Sequence, residues 1–399
     1  MKREDFPILS QDLIYLDSGA TSLKPRCVID KINEYYTKYS ANTHRGDYDL
    51  SLKVDYEFET ARDIVKEFIN ASKREEIVFT SGATDSINII ANGFFKELLD
   101  ANDEILITKS EHASNIMPWY RLAKEVGCKI KYIDLDDDYK VTIDNFKRAI
   151  TPNTKVVALA WITNVIGDIR PIKEMTKIAH DIGAFVVVDG AQSVAHIKTD
   201  VKDSDIDFLA FSGHKMCGPT GIGVLYGKYE LLDKVIPTNL GGGMNESFDD
   251  EDNVILKELP HKLEAGTPHI AGAIGLASAI KYLDDIGMDN IHEYELNLRE
   301  YLVDKLTKIP HIDLINENST SGIVTFNVDK IFSQDVAYYL NKYHICVRAG
   351  SHCAKVLKKE TNVANTLRVS LYFYNTKEEI DKLVDLLSDK DKIEKEMLI

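Results

Sequence analysis

Nowhere does the chain carry an uninterrupted apolar run approaching the roughly 18 residues of a membrane span, and the opening MKREDFPILSQDL lacks the apolar stretch of a secretory signal. Both absences lead us to expect a cytoplasmic protein with no membrane partner. Cysteine is sparse and odd in number: Cys27, Cys128, Cys217, Cys346 and Cys353 are the five in 399 residues. That set fits a reducing compartment rather than a disulfide framework, and at least one thiol is free. No CxxC or His-x-His spacing marks a zinc site, so no metal is expected. Positive charge is short as well, with 48 Lys and Arg against 64 Asp and Glu, a net charge of −16. A phosphate backbone needs a cationic surface, so nucleic acid is not an expected partner. Internal repeats are missing too, which excludes a solenoid.

What is present is globular: 44% hydrophobic and 28% charged residues, in more chain than one domain usually takes. Short apolar runs recur, EIVFT (76–80), EILIT (104–108), KVVALAWI (155–162), AFVVVDG (184–190), DFLAFS (207–212) and GIGVLYG (221–227). Helical patterns separate them. After Thr84, for example, Ile87, Ile90, Ala91, Phe94, Phe95 and Leu98 recur at three- and four-residue steps. Near-continuous apolar strands alternating with amphipathic helices predict an α/β fold around a mostly parallel sheet covered on both faces. GGGMNESFDDEDN (241–253) reads as a mobile acidic loop, and a long helix is expected around 268–287. Beyond it, GIVTFNV (322–328), ICVRAG (345–350) and LRVSLYFY (367–374) read as strands beside the helical SQDVAYYLNKY and TKEEIDKLVDLL. This texture predicts a smaller α+β domain after a boundary near residue 290.

Ligands of open parallel sheets bind at the carboxyl ends of the strands. There the chain places Ser81-Gly82-Ala83-Thr84, then Glu111-His112-Ala113-Ser114-Asn115, then Thr163-Asn164, then Asp189 with Gln192 and Ser193, then Ser212, His214 and Lys215. Ser81-Gly82-Ala83-Thr84 reads either as a helix cap or as a phosphate cradle, and without GxxxxGK it is no nucleotide P-loop. A carboxylate at the buried end of an apolar strand needs a partner such as a protonated ring nitrogen. A lysine at such a terminus loses its charge to desolvation and becomes a Schiff-base amine. Asp189, Lys215 and a phosphate cradle are together the protein's share of pyridoxal phosphate chemistry.

The strings IYLDSGATSLKP (14–25), NTHRG (42–46), FTSGATDSIN (79–88), SEHASNIMPW (110–119), VVVDGAQSVAH (186–196), FSGHKMCGPTGIGVLYG (211–227), LEAGTPHIAGAIGL (263–276) and VRAGSHCAK (347–355) run nearly end to end. In this order they resemble the class V aminotransferase family of fold-type I pyridoxal-phosphate enzymes, and within it the SufS/CsdA-like cysteine desulfurases. The resemblance implies a seven-stranded, mostly parallel sheet in a large domain (15–290), and a small α+β domain (1–14 and 291–399) carrying the catalytic cysteine loop. It makes Lys215 the cofactor-bonding lysine, Asp189 the partner of the pyridine nitrogen, His112 the ring-stacking residue and Gln192 a contact of the phenolic oxygen. Ala83, Thr84, Ser212 and His214 would hold the phosphate, with Thr267 reaching across from the other subunit of a homodimer. Asn164 and Arg368 would bind the substrate carboxylate, and His44 and Arg348 are further polar residues of the site.

Cys353 matches the catalytic cysteine, in a polar loop where Arg348 and His352 would favour the thiolate. The implied reaction turns L-cysteine into L-alanine and a Cys353 persulfide. The sulfur would pass to an acceptor of the SufE-like or SufU-like type for iron–sulfur cluster assembly. Selenocysteine lyase, with L-selenocysteine as substrate, or another class V β-lyase or aminotransferase is the enzymatic alternative, and a catalytically weak sulfur-carrier or scaffold subunit the non-enzymatic one. Departures from the family pattern fall at Ser351, Lys355-Val356 and Tyr48.

Overall fold

The computed structural model describes residues 3–44, 46–251, 253–358 and 365–397. In chain order its first strands are β1 (Ile14–Tyr15), β2 (Ile77–Thr80), β3 (Glu104–Thr108), β4 (Lys129–Ile133), β5 (Thr154–Ala160), β6 (Phe185–Asp189), β7 (Phe208–Ser212) and β8 (Gly223–Gly227). β2 to β8 form one seven-stranded sheet in the order β2-β8-β7-β6-β5-β3-β4, parallel except that β8 runs against both its neighbours. β4 has no counterpart among the expected strands. It is an edge strand whose Lys129, Ile130, Lys131 and Tyr132 alternate charge with apolar surface, so it carries no continuous apolar run.

The inner strands alternate faces. Leu106, Val157, Leu159, Val186 and Val188 join the core under one face, and Ile105, Ile107, Val156, Ala158 and Val187 join the core under the other. Period two on a sheet covered twice gives an unbroken apolar string, which is why these strands read so clearly. After Thr84 the helix Ala83–Ile90 runs into a π-helical turn, Ala91–Phe95. The extra residue of that turn rotates the end of the helix, so Ile87, Ile90, Ala91, Phe94 and Phe95 are buried as expected while Leu98 is exposed.

The expected loop at 241–253 is instead a two-stranded antiparallel hairpin, β9 (Asn245–Phe248) with β10 (Val254–Leu256). Its acidic turn orders itself: the Asp249 carboxylate accepts from the Glu251 and Asn253 amides at 2.9 and 2.8 Å. The long helix spans Ile270–Ile286.

The second sheet, antiparallel, runs in the order β11 (Ile312–Leu314), β12 (Ile323–Val328), β15 (Thr366–Ser370), β14 (Arg348–Gly350). ICVRAG divides between two pairings rather than making one strand: β13 (Ile345–Cys346) pairs with β1, and β14 pairs with β15. LRVSLYFY stays extended in β15 only to Ser370. Tyr372, Phe373 and Tyr374 then turn into a buried aromatic cluster with Phe6. Two features of this sheet aim side chains at the first one. Arg348 stands directly opposite Arg368, which puts both on one face, and an isolated bridge ties Asp17 to Ser370.

Candidate active site

The strand-end loops of the large sheet and the edge of the second sheet enclose a cavity of about 190 Å3. Among the residues lining it are Ala83, Thr84, His112, Asn164, Asp189, Ser212, His214, Lys215, Arg348, Cys353 and Arg368, drawn from positions up to 285 apart by number, Ala83 to Arg368. The adjacency of β6 and β7, with Asp189 opposite Ala210, brings the carboxyl end of one strand beside the turn that carries Lys215.

Lys215 is enclosed by protein, and that desolvation draws its amine down to about 8, against the pull of Asp189. Burial pushes the Asp189 carboxyl up to about 6, although the Ala191 amide donates to it at 2.9 Å. The backbone just before Lys215 is pinned: Thr21 Oγ1, the Ser22 amide and Lys24 Nζ all donate to the His214 carbonyl, at 3.0, 2.9 and 3.0 Å. Lys24 itself is drawn down to about 8 by burial.

At the other end of the cavity Gly82, with φ +153°, leads into the helix Ala83–Ile90, and no side chain caps it. The Ala83 amide donates to Ser212 Oγ at 2.9 Å, and Thr84 Oγ1 lies 2.7 Å from Ser114 Oγ. No side chain of Ser81-Gly82-Ala83-Thr84 itself caps the helix; the Ser212 hydroxyl accepts from its first amide instead. β8 crosses so near this turn that a Cβ on Gly223 would come within 2.4 Å of the Gly82 backbone.

His112 accepts from the Ser114 amide at 3.2 Å through Nδ1, which also lies 3.0 Å from Ser114 Oγ. Burial first, then the charge of Lys215, draws the ring down to about 4, so it is neutral. Behind it lies a pair that the sequence did not signal. Fully buried Arg170 is ion-paired with Glu111 and donates to the Ala160 carbonyl, Thr108 Oγ1 and Ser110 Oγ at 3.0, 3.0 and 2.8 Å. Glu111 in turn accepts from the Ala160 amide and Asn115 Nδ2 at 2.7 and 2.8 Å. An isolated arginine between Ile169 and Pro171 matches no periodicity, so only the packing reveals it.

Arg368 donates through Nη1 to the Asn164 carbonyl at 2.9 Å and through Nη2 to Asp17 at 3.1 Å. Asp17 was not expected here; the bridge to Ser370 delivers it. Gly19 is needed for the approach, since a Cβ there would meet the Arg368 guanidinium at 3.2 Å and Ser370 Oγ at 2.8 Å. Gln192 lies beneath, its Nε2 donating to the Gly19 carbonyl at 2.9 Å.

Cys353 is exposed on a loop with three left-handed residues, Gly350, His352 and Cys353, at φ +126°, +48° and +58°. Two bonds dock that loop on the strand ends: the Ala113 amide donates to the Cys353 carbonyl at 2.9 Å, and Asn164 Nδ2 to the His352 carbonyl at 2.7 Å. The His352 ring turns inward to Thr366 Oγ1 at 2.8 Å, and burial draws it down to about 3. It stays neutral, so the expectation that His352 supplies charge to a thiolate is not met; Lys215, Arg348 and Arg368 are the cations lining that cavity, and Lys215 and Arg368 interact electrostatically with Cys353.

His44 and Thr267 do not line this cavity. They sit apart, at a second pocket of about 410 Å3 that includes Asn42, His44, His261 and Gly266, where Asn42 Nδ2 is 3.5 Å from Thr267 Oγ1.

The donor set of the first cavity fits pyridoxal phosphate. It offers a desolvated amine, a buried carboxyl for a ring nitrogen and, for a phosphate, a helix end beside the hydroxyls of Thr84 and Ser212. Among the described residues of the site, buried Asn164 Oδ1, Gln192 Oε1, His352 Nδ1 and Arg368 Nε make no hydrogen bond to protein.

Residues 14–383 match the family model described as aminotransferase class-V. A probable cysteine desulfurase of Halalkalibacterium halodurans is 46% identical over 383 residues, covering 95% of this chain and 94% of the relative. A cysteine desulfurase of Haloferax volcanii is 42% identical over 405 residues, with coverages of 96% and 95%. The crystal structure of the Escherichia coli cysteine desulfurase CsdA, in an S-sulfonic acid form, superimposes with a TM-score of 0.92 at 36% identity, covering 98% of this chain and 97% of that one.

Proposed function

The chain belongs to the aminotransferase class-V family, and on that premise we infer that it is a pyridoxal-phosphate-dependent cysteine desulfurase, converting L-cysteine to L-alanine and a persulfide on Cys353. The observation that carries this reading is the place of Cys353. Cys27 is exposed too, but Cys353 alone among the cysteines lines the cavity of Lys215 and Arg368. Cys217 is the opposite case, a thiol pushed up to about 12 by burial. The full-length relatives named for cysteine favour this reading over selenocysteine lyase.

Pyridoxal phosphate, when bound, supplies an electron sink for the pair left as the substrate Cα–H bond breaks. Lys215 Nζ would hold the cofactor at rest and, once released by the substrate's amine, would be the desolvated base that takes up that proton. Asp189 would keep a proton on the ring nitrogen, Ala83 and Thr84 with Ser212 and His214 would hold the phosphate, and neutral His112 would lie against the ring without adding charge. The Arg368 fork, preset by Asp17 and the Asn164 carbonyl, grips the substrate carboxylate. The Cys353 thiolate attacks the substrate sulfur, and an S–S bond forms as the Cβ–S bond breaks. The Cβ–S pair stays on carbon, which takes up a proton to become the methyl group, and return of the proton from Lys215 to Cα completes alanine.

The same reading divides the chain into 15–290 and the pair 1–14 with 291–399. Supporting it, the second sheet has a core of its own, including Leu298, Leu302, Phe326, Val369 and Leu383. It also includes a homodimer in which Thr267 completes the partner's phosphate site, and a SufE-like or SufU-like acceptor that collects sulfur from the exposed loop for iron–sulfur assembly. No described helix is long and apolar enough to cross a membrane.

Cys353→Ser tests the central assignment. The variant should keep the cofactor's visible absorbance yet form no persulfide from L-cysteine; full alanine production by Cys353→Ser with a thiol reductant present would remove Cys353 from its role.

A further inference from the structure

One buried pair beside the cavity takes no part in the chemistry of desulfuration. The Arg170 and Glu111 side chains are both fully enclosed and are ion-paired. Burying two charges costs desolvation that their attraction offsets only with good geometry and further hydrogen bonds, so such a pair is a poor stabiliser but can specify a geometry. The further bonds here fall on strand ends. Backbone pairing of β3 with β5 joins 104–106 to 154–157. Past it, the Ala160 amide donates to Glu111 at 2.7 Å and the Ala160 carbonyl accepts from Arg170 at 3.0 Å, while Arg170 also donates to Thr108 Oγ1 and Ser110 Oγ.

Two segments leave this point. Glu111 leads directly into His112 and Ala113, and its carboxylate holds their turn by accepting from Asn115 Nδ2 at 2.8 Å; Asn115 in turn accepts from Trp119 Nε1 at 3.0 Å. Arg170 closes the base of the loop that carries Asn164. Its amide donates to the Trp161 carbonyl at 2.9 Å, Ile162 bridges Ile169, and the Thr163 amide donates to the Asp168 carbonyl at 3.1 Å. Arg170 Nε also lies 3.6 Å from Asp168 Oδ2. These two segments supply the two ties of the Cys353 loop, the Ala113 amide on the Cys353 carbonyl at 2.9 Å and Asn164 Nδ2 on the His352 carbonyl at 2.7 Å. One guanidinium–carboxylate contact therefore stands at the root of both.

We propose that Arg170 and Glu111 are positioning residues for the Cys353 loop: as a buried pair they fix the distance between the Ala113 amide and the Asn164 side chain, and with it the seat of the thiol. The planar fork of Arg170 suits this task, because it grips a carboxylate, a carbonyl and two hydroxyls at set angles. The proposal rests on the desulfuration reading for what the thiol does there. The seat itself is a property of the chain and is measurable without turnover.

The test uses the cofactor-loaded protein and the paired variant Arg170→Met with Glu111→Gln. Removing both charges together leaves neither unpaired in the interior, and Glu111 and Arg170 act on the Asp189 carboxyl with opposite signs, so cofactor absorbance and affinity should stay as in the parent. Hydrogen exchange of peptides covering 350–358 should speed up about tenfold, and persulfide formation in a single turnover should slow about tenfold. Added to Asn164→Ala, the paired change should slow persulfide formation by less than about threefold further, because both act through the same tie. Arg170→Lys, which keeps a charge for Glu111 but loses the fork, should show the same two changes at smaller size and serves if the paired variant does not fold. Unchanged exchange at 350–358, exchange that rises equally throughout the chain, a parallel loss of cofactor affinity, or effects of Arg170 and Asn164 that simply multiply would each overturn the proposal. A parent protein that forms no persulfide would instead sink the desulfuration reading and leave the exchange result standing.

Discussion

Lys215 and Cys353 border the same cavity and are held in opposite ways. Lys215 follows a buried strand, and the carbonyl before it is gripped by Thr21, Ser22 and Lys24. Asp189 ends the neighbouring strand β6 and is buried there. Cys353 is exposed on a left-handed loop tied to the body by the Ala113 amide and the Asn164 side chain. The contrast reflects the work each performs. An amine that must be neutral and a carboxyl that must meet a ring nitrogen gain from desolvation and fixed geometry. On the proposed reading, a thiol that takes sulfur from a small molecule and passes it to a protein has to face both the cavity and the outside.

The largest break in this comparison is Lys215→Ala. It should remove the visible absorbance of the bound cofactor and lower alanine and persulfide formation together by at least about 10³-fold, measured by product assay; Cys353→Ser, by contrast, should separate colour from persulfide. Asn164→Ala acts on the tie between the two regions. Losing a buried hydrogen bond worth about 1 to 3 kcal/mol should slow persulfide formation about 10- to 100-fold in single-turnover assays, with the cofactor spectrum unchanged; an equal loss of cofactor affinity would mean that Asn164 supports the sheet side instead.

The smallest effect is one of pH. A lysine drawn down to about 8 is neutral above that value, and only the neutral amine condenses with an aldehyde. Recapture of pyridoxal phosphate by the apoprotein should therefore rise about tenfold from pH 7 to pH 9, with a midpoint near 8. A midpoint near the ordinary lysine value would show that desolvation does not set it. Stability has the same sign. The unfolded chain binds the extra proton between the folded and unfolded values, so the apoprotein should gain stability as pH rises across that window.

How much was legible depends on distance along the chain. The strands β3, β5, β6, β7 and β8 could be read because burial on both faces leaves an unbroken apolar string, and Asp189, Ser212, His214 and Lys215 because they come directly after those strings. β4 escaped because an edge strand alternates, and the hairpin at Asn245–Leu256 because glycines and acids read as loop. Arg170, Asp17 and Gly19 escaped as site residues for a different reason: nothing local marks what they touch, even though IYLDSGATSLKP contains the last two. Arg170 matters through Glu111, 59 positions away, and Asp17 through Arg368, 351 positions away.

The sequence by itself determined the alternation of apolar strands with helices, the polar residues at their ends and the cysteine loop, because each depends on neighbours a few residues apart. Only the tertiary structure decided which ends meet. The order β7-β6-β5 sets Asp189 beside the Lys215 turn, and the β14–β15 register puts Arg348 and Arg368 on one face. The bridge from Asp17 to Ser370 then fixes the guanidinium, and His352 faces inward to Thr366. Strand order, register and side-chain direction arise from contacts between segments hundreds of residues apart, and so does the burial that draws the Lys215 amine down to about 8.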